Sequence, residues 1–251
     1  MTSNLFSLEG KNALVTGGNA GLGQAVAVAL AEAGADIVAV SRRDADETGA
    51  SVRALGRKFA HLAADLGQAR ADDLVAQAEE RLGAVDILVN NAGIIRRADA
   101  DQFSESDWDA VIDVNLKAAF FLAQAAGKRM LARKAGKIIN VASMLSFQGG
   151  VRVASYTAAK SGLAGITRLL ANEWAARGVN VNAIAPGYMD TDNTTALRAD
   201  AQRNADILAR IPAGRWGAPS DLAGAAIFLA SRASDYVHGA IIPVDGGWLA
   251  R

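Results

Sequence analysis

The chain has no cysteine, which removes disulfides, thiolate nucleophiles and cysteine-ligated zinc from consideration. Histidine is almost as scarce. His61 and His238 are the only two and lie far apart, so each is expected to be structural and no metal site is expected. Neither sign of charge is in excess: 26 basic residues balance 26 acidic ones over 251 positions. Nucleic-acid and membrane-surface binders usually carry a basic excess, so neither kind of partner is expected. The opening stretch "MTSNLFSLEGK" lacks a basic segment followed by an apolar one. No uninterrupted apolar run approaches the roughly 20 residues of a membrane span. These absences together favour a cytoplasmic protein.

Proline is sparse as well. All four, Pro186, Pro212, Pro219 and Pro243, fall in the last third. What is abundant is apolar surface: 51% hydrophobic residues against 21% charged, enough for a large core and against disorder. Short apolar runs predict strands at 12–16, 36–40, 58–64, 86–90, 137–142, 180–185 and 240–244. Several are apolar almost throughout, as strands buried on both faces of a parallel sheet must be. Amphipathic stretches separate them. In 70–82, Leu74, Val75, Ala78 and Leu82 recur at helical spacing, with Asp72, Asp73, Glu79, Glu80 and Arg81 largely on the other side. Alternating strands and helices with short connections predict an α/β fold, a doubly wound parallel sheet of about seven strands with helices on both faces. There is no linker, charge block or repeat, so residues 1–251 read as one domain. The proline-bearing stretch 186–220 breaks the rhythm and reads as a long irregular segment, a substrate loop or lid.

The first predicted strand runs into "VTGGNAGLGQA", with four glycines between positions 17 and 23. A phosphate-gripping loop of a nucleotide hydrolase would follow its last glycine with lysine and a hydroxyl residue, to reach the outer phosphates and magnesium. Gln24 and Ala25 stand there instead, and that reading fails. Glycines at a strand-to-helix turn also serve dinucleotide binding, where backbone amides and a helix N-terminus face a pyrophosphate. Gly17, Gly21 and Gly23 have the spacing G-x-x-x-G-x-G. The second strand of such folds ends where the adenosine ribose lies, at an acid for a 2′-hydroxyl or a base for a 2′-phosphate. This one ends in Ser41-Arg42-Arg43, with Asp44 and Asp46 just beyond. Arg42 suits a 2′-phosphate, and Ser41 adds a hydroxyl. The segment leans toward NADP(H) without excluding NAD(H).

In "ASYTAAK", Tyr156 and Lys160 lie four apart on one helix face. An ammonium beside a phenol favours phenolate and lowers its pKa, making the hydroxyl usable as an acid or base. Ser143 ends the fifth predicted strand, at the carboxyl edge where open α/β sheets bind ligands. Asn115 is expected to open the helix before that strand.

With these residues the chain resembles the short-chain dehydrogenases/reductases. The resemblance rests on Thr16-Gly17-x-x-x-Gly21-x-Gly23, Asp65, Asn90-Asn91-Ala92-Gly93, Asn115, Ser143, Tyr156-x-x-x-Lys160 and Pro186-Gly187-x-x-x-Thr191, in that order over almost the whole chain. It implies a single Rossmann-type catalytic domain using NAD(H) or NADP(H), with no metal. It also implies Tyr156 as the acid/base and Ser143 as a hydrogen-bond donor to the reacting oxygen. Lys160 would lower the tyrosine pKa and hold the nicotinamide ribose, and Asn115 would fix a relay water. The cofactor would be lined by Gly17, Asn19, Gly21, Leu22, Gly23, Ser41, Arg42, Asp65, Leu66, Asn91, Ala92 and Gly93, and by Pro186, Gly187, Met189 and Thr191. A homotetramer is implied, built through the helix after Asn115, the helix of Tyr156 and the C-terminal strand.

On the substrate side, "NAGIIRR" brings Arg96 and Arg97 past the cofactor turn, and "SMLSFQGGVRVASY" sets Gln148 and Arg152 between Ser143 and Tyr156. Arg96 and Arg152 are candidates to hold a carboxylate, and Gln148 a sugar hydroxyl. These stretches, with "RIPAGRWGAPSDL" and "VDGGWLAR", resemble the family members that interconvert a hydroxyl and a ketone on a sugar acid. That resemblance implies NAD(H), against the lean of Ser41-Arg42-Arg43. Which sugar acid and which carbon reacts stay open. A dinucleotide-binding protein without catalysis would be expected to have a broken Ser/Tyr/Lys set, and here the set is intact.

Overall fold

The computed structural model describes residues 5–250. Seven strands form one fully parallel sheet: β1 (Asn12–Thr16), β2 (Asp36–Ser41), β3 (Phe59–Ala63), β4 (Ile87–Asn90), β5 (Gly136–Val141), β6 (Val179–Pro186) and β7 (Ile241–Val244). Their order is β3-β2-β1-β4-β5-β6-β7, so the winding reverses between β1 and β4. All seven predicted strands are present, shifted by no more than a residue or two at their ends.

The alternation of side chains assigns each strand residue to a face. Ala13, Val15, Ile37, Ile87, Val89, Ile139, Val141 and Ile184 pack against α1 (Gly21–Glu32), α2 (Asp46–Ala54) and α9 (Ala223–Ala230). Leu14, Val38, Val40, Leu88, Ile138, Val179 and Val181 point the other way, onto α3 (Ala71–Leu82), α5 (Ala118–Arg133) and α6 (Ala154–Trp174). Neither face of the sheet is left to water, which is why the central strands read as unbroken apolar runs. The short helices α7 (Thr195–Ala199) and α8 (Ala201–Arg210) lie outside these layers.

Two expectations change. Asn115 does not open a helix. It lies inside a π-helical turn, Asp113–Lys117, that joins α4 (Glu105–Ile112) to α5 in one continuous helix. A π-turn inserts one extra residue and re-aims the local side chains, which apolar spacing does not reveal. That continuous helix, Glu105–Arg133, is long and apolar enough by length and composition to span a bilayer. Its Leu122, Ala123, Ala126 and Met130 are buried in the second core layer, so packing accounts for its composition. The segment 186–220 is not wholly irregular either, since it contains α7 and α8. The Asp200 side chain caps α8 by accepting from the Arg203 amide at 3.0 Å. Leu197, Ile207 and Ile211 form a small cluster with Met144 and Trp248. None of its prolines lies inside either helix, and Pro212 follows the end of α8 by two residues.

A polar thread crosses the second layer. Asn90 Nδ2 donates to Asn140 Oδ1 at 2.9 Å, Asn140 Nδ2 donates to Thr167 Oγ1 at 2.9 Å, and Thr167 donates to the Leu163 carbonyl at 2.8 Å. All three side chains are buried, so removing one strands its partners away from water. Asn140→Ala is expected to cost about 1–3 kcal/mol, read as a lower urea midpoint at unchanged slope.

Candidate active site

The site forms at the carboxyl edge of the sheet, where the β1–β4 reversal splays the following loops apart. Thr16, the last residue of β1, is buried and works as a clasp. Its hydroxyl donates to the Val89 carbonyl at 3.3 Å and accepts from the amides of Asn91 and Ala92, both at 3.0 Å. Asn91 reaches back, and its Nδ2 donates to the carbonyls of Thr16 at 3.0 Å and Gly17 at 3.4 Å. Gly17 and Gly21 have φ of +65° and +53°, which a side chain would strain. A Cβ on Gly23 would overlap the Gly17 carbonyl and the Asn91 amide. Asn19 is half-buried in this turn, and Leu22 packs on the first core layer. The loop is braced from below by Thr48, fully buried on α2, which donates to the Gly18 carbonyl at 2.9 Å.

Helix α1 begins at this loop with Ala20 as its N-cap, without a side-chain cap and with no acid in its first turn. Its first amides therefore have no side-chain partner and face the glycine turn with the positive end of the helix dipole. A glycine cradle that a Cβ would close, with uncapped amides behind it, fits the pyrophosphate of a dinucleotide.

Pro186 ends β6, and Gly187 follows so closely that a Cβ there would lie 2.6 Å from the Asp245 Cα. Met189 is buried and bridges to Gly217. The Thr191 methyl comes within ordinary contact, 3.7 Å, of where a Cβ on Gly21 would stand. The loop 186–191 thus borders the cradle. After β3, the Asp65 carboxylate accepts the Gly67 amide at 3.0 Å and holds its own turn, while Leu66 packs on the second layer.

The third component lies between β5 and α6. Ser143 caps a 3₁₀ turn, its Oγ accepting from the Leu145 amide at 3.1 Å, which leaves its own hydrogen to give. Lys160 is 3% exposed, and its Nζ donates to the Val141 carbonyl at 2.6 Å. Burial pushes its pKa down to about 8. Tyr156 has the Lys160 Nζ 5.6 Å from its ring centre. The net shift of the phenol is nevertheless upward. Burial pushes Tyr156 above its ordinary value, against the smaller effects of a hydrogen bond with Ser143 and the positive charge of Arg97. Desolvation outweighs the neighbouring charges here, and spacing along a helix reports nothing about desolvation.

Asn115 uses its π-turn position fully. Its Oδ1 accepts the Ile94 amide and its Nδ2 donates to the Ile94 carbonyl, both at 2.8 Å. A Cβ on Gly93 would meet Asn115 Oδ1 at 3.3 Å, so the loop after β4 is tied flat against this helix.

The remaining candidates are redistributed. Arg96 pairs with Asp107 at 3.1 Å and Arg152 with Asp99 at 3.1 Å, both exposed pairs. Arg97 is the one whose charge acts on Tyr156, and it donates to the Asn193 carbonyl at 3.4 Å. Among the described residues it has no acidic partner. Gln148 accepts from Trp248 Nε1 at 3.3 Å, anchoring it to the C-terminal tail. Ser41 turns its hydroxyl inward, donating to the Arg43 carbonyl at 2.7 Å and meeting His61 Nε2 at 2.9 Å, so it does not face outward with Arg42. Thr48 under the glycine loop and His61 against Ser41 are contacts between distant elements, which no local spacing in the sequence reports. His238 contacts Asn180 at 3.3 Å at the opposite edge of the sheet. Among the described residues no acid and histidine cluster fit for a metal occurs.

The family model of short chain dehydrogenases matches residues 11–202. The chain belongs to the short-chain dehydrogenases. It is 60% identical to the 2-dehydro-3-deoxy-D-gluconate 5-dehydrogenase of Escherichia coli, over the whole of both chains. It is 55% identical to the enzyme of the same name from Bacillus subtilis, over 98% of this chain and 97% of the other. Among solved structures, a candidate 2-deoxy-D-gluconate 3-dehydrogenase from Agrobacterium tumefaciens with bound NADP is 62% identical. It superposes with a TM-score of 0.94 over 99% of this chain and all of the other. The chain is therefore a Rossmann-type dehydrogenase that uses a nicotinamide dinucleotide.

Gly23→Ala places its methyl against backbone, which cannot rotate away. This variant is expected to lose at least about tenfold in dinucleotide affinity, measured by tryptophan fluorescence titration.

Proposed function

We propose that the protein interconverts 2-dehydro-3-deoxy-D-gluconate and its 2,5-diketo product, with Tyr156 as acid/base. The intact Ser143, Tyr156 and Lys160 set beside the glycine cradle carries this reading, supported by curated relatives at 55–60% identity over essentially the full chain. A nicotinamide dinucleotide held in this cradle would supply the hydride chemistry. In the reducing direction, Tyr156 Oη donates its proton to the C5 carbonyl oxygen. Ser143, with its lone pair engaged by the Leu145 amide, donates its hydrogen to the same oxygen as negative charge develops there. In oxidation the phenolate takes the C5 hydroxyl proton. Lys160 holds the nicotinamide ribose with the hydrogens not used by the Val141 carbonyl, and Asn115 positions a relay water. Asp65, Leu66, Asn91, Ala92 and Gly93 line the adenosine half, with Arg42 at the 2′-phosphate of NADP(H). Pro186, Gly187, Met189 and Thr191 hold the nicotinamide end. Arg97, whose positive charge acts on Tyr156, takes the substrate carboxylate. The segment 186–220 covers the substrate.

The protein acts in the cytoplasm as a homotetramer. Supporting assembly, Trp108, Phe121 and Leu169 are exposed on α4, α5 and α6, and β7 leaves one edge of the sheet open. A second reading, a 2-deoxygluconate 3-dehydrogenase, is favoured by the name of the Agrobacterium structure. The two differ in which carbon reacts.

Initial rates with 2-dehydro-3-deoxygluconate, gluconate and 2-deoxygluconate, each with NAD⁺ and NADP⁺, test the reading. The first substrate is expected to lead. Tyr156→Phe is expected to lose at least about a hundredfold in kcat, and Arg97→Leu to act chiefly on KM. Turnover of 2-deoxygluconate alone would install the second reading. The raised phenol also sets a pH dependence. Reduction needs the protonated phenol, so its rate is expected to hold through neutral pH and fall only in the alkaline range. Oxidation needs phenolate, so its rate is expected to rise as pH rises.

A further inference from the structure

We propose that His61 is a positioning residue through which the chain distinguishes a 2′-phosphate from a 2′-hydroxyl on its dinucleotide. The inference rests on the dinucleotide reading above and goes beyond it to a residue outside the cofactor-lining set. In the β2–β3 register, Ser41 pairs with Ala63 and Ala39 with His61, so His61 lies two residues along from Ser41's partner and shares its face. A serine hydroxyl has one hydrogen, and here it goes to the Arg43 carbonyl at 2.7 Å. The 2.9 Å contact between Ser41 Oγ and His61 Nε2 must then be donated by the imidazole. That fixes the ring with hydrogen on Nε2 and fixes the hydroxyl as a donor to Arg43.

The consequence falls on the turn. With its carbonyl drawn back to the end of β2, Arg43 closes a tight three-residue turn, and Arg42 and Arg43 are both exposed beside it. Among the described residues neither guanidinium makes an ion pair, unlike Arg96, Arg152 and Arg215. Two unpaired guanidinia on a pinned turn suit a phosphate dianion. If the imidazole donor is removed, the hydroxyl is free to rotate off the Arg43 carbonyl, and the turn loses its pin. A ligand with a 2′-hydroxyl does not use the arginines and feels no change.

The test is calorimetric binding of 2′,5′-ADP and of 5′-ADP to the full-length wild type, His61→Phe, His61→Gln and Ser41→Ala, with thermal melts confirming folding. Wild type is expected to bind 2′,5′-ADP at least about tenfold more tightly than 5′-ADP. His61→Phe, which keeps the ring but has no donor, is expected to lose at least about fivefold for 2′,5′-ADP alone. Ser41→Ala removes the same bond from its other side and is expected to show the same selective loss, which keeps the test decisive if His61→Phe misfolds. His61→Gln carries an amide donor and is expected to restore the preference. Unchanged 2′,5′-ADP affinity in His61→Phe, an equal loss for both ligands, or no rescue by glutamine would overturn the proposal while the cofactor reading stands. A wild type without preference for 2′,5′-ADP would remove the NADP(H) reading and the proposal together.

Discussion

The Asn91 side-chain amide is the interaction from which the site is built. By donating to the carbonyls of Thr16 and Gly17, it stitches the ends of β1 and β4 together at the place where the winding reverses. The Thr16 hydroxyl answers by accepting two amides from the β4 side. A side chain at position 23, at the start of α1, would run into the Gly17 carbonyl and the Asn91 amide. From that clasp follow the left-handed glycines, the uncapped start of α1 and the approach of Thr191 over Gly21. Thr48 supports the same loop from α2. The cradle is thus pre-formed, and a ligand need not supply the free energy of ordering it.

Chemistry at the other end of the site opposes stability. Lys160 is a buried amine held by one carbonyl, and burial alone brings its pKa to about 8. Tyr156 is pushed toward its neutral form by the same desolvation. Both groups are costly to charge where they stand, so a partner that brings charge or hydrogen bonds into the site changes them strongly. Active sites commonly concentrate this kind of unfavourable burial, and the surrounding layers supply the stability to hold it.

The sheet was legible because its strands alternate between two buried faces, and an unbroken apolar run such as Leu14–Val15 or Leu88–Val89 has no other economical use. The glycine turn, Ser143, Tyr156 and Lys160 were legible because chemistry restricts residue type there and the spacing is local. What lay beyond sequence was contact between distant elements. Arg96 and Arg97 are chemically identical neighbours, and only the position of Asp107 separates them. Ser41 reads as a phosphate donor until His61 and the Arg43 carbonyl are seen to use it. The direction of the Tyr156 shift depends on how much water is excluded, a property of the whole fold. The π-turn at Asn115 adds a single residue to a helix and leaves no periodicity to detect. Helices α7 and α8 were hidden because the prolines of 186–220 made the whole stretch read as irregular, although none lies inside either helix.

The carbon at which hydride arrives defines the reaction. Reduction of the 2,5-diketo acid with nicotinamide cofactor deuterated at the transferable position, followed by NMR of the product, reads this directly. Deuterium is expected at C5 in the wild type, with labelled product strongly reduced in Tyr156→Phe. Deuterium at C2, or a reduced product without the label, would contradict the proposed reaction.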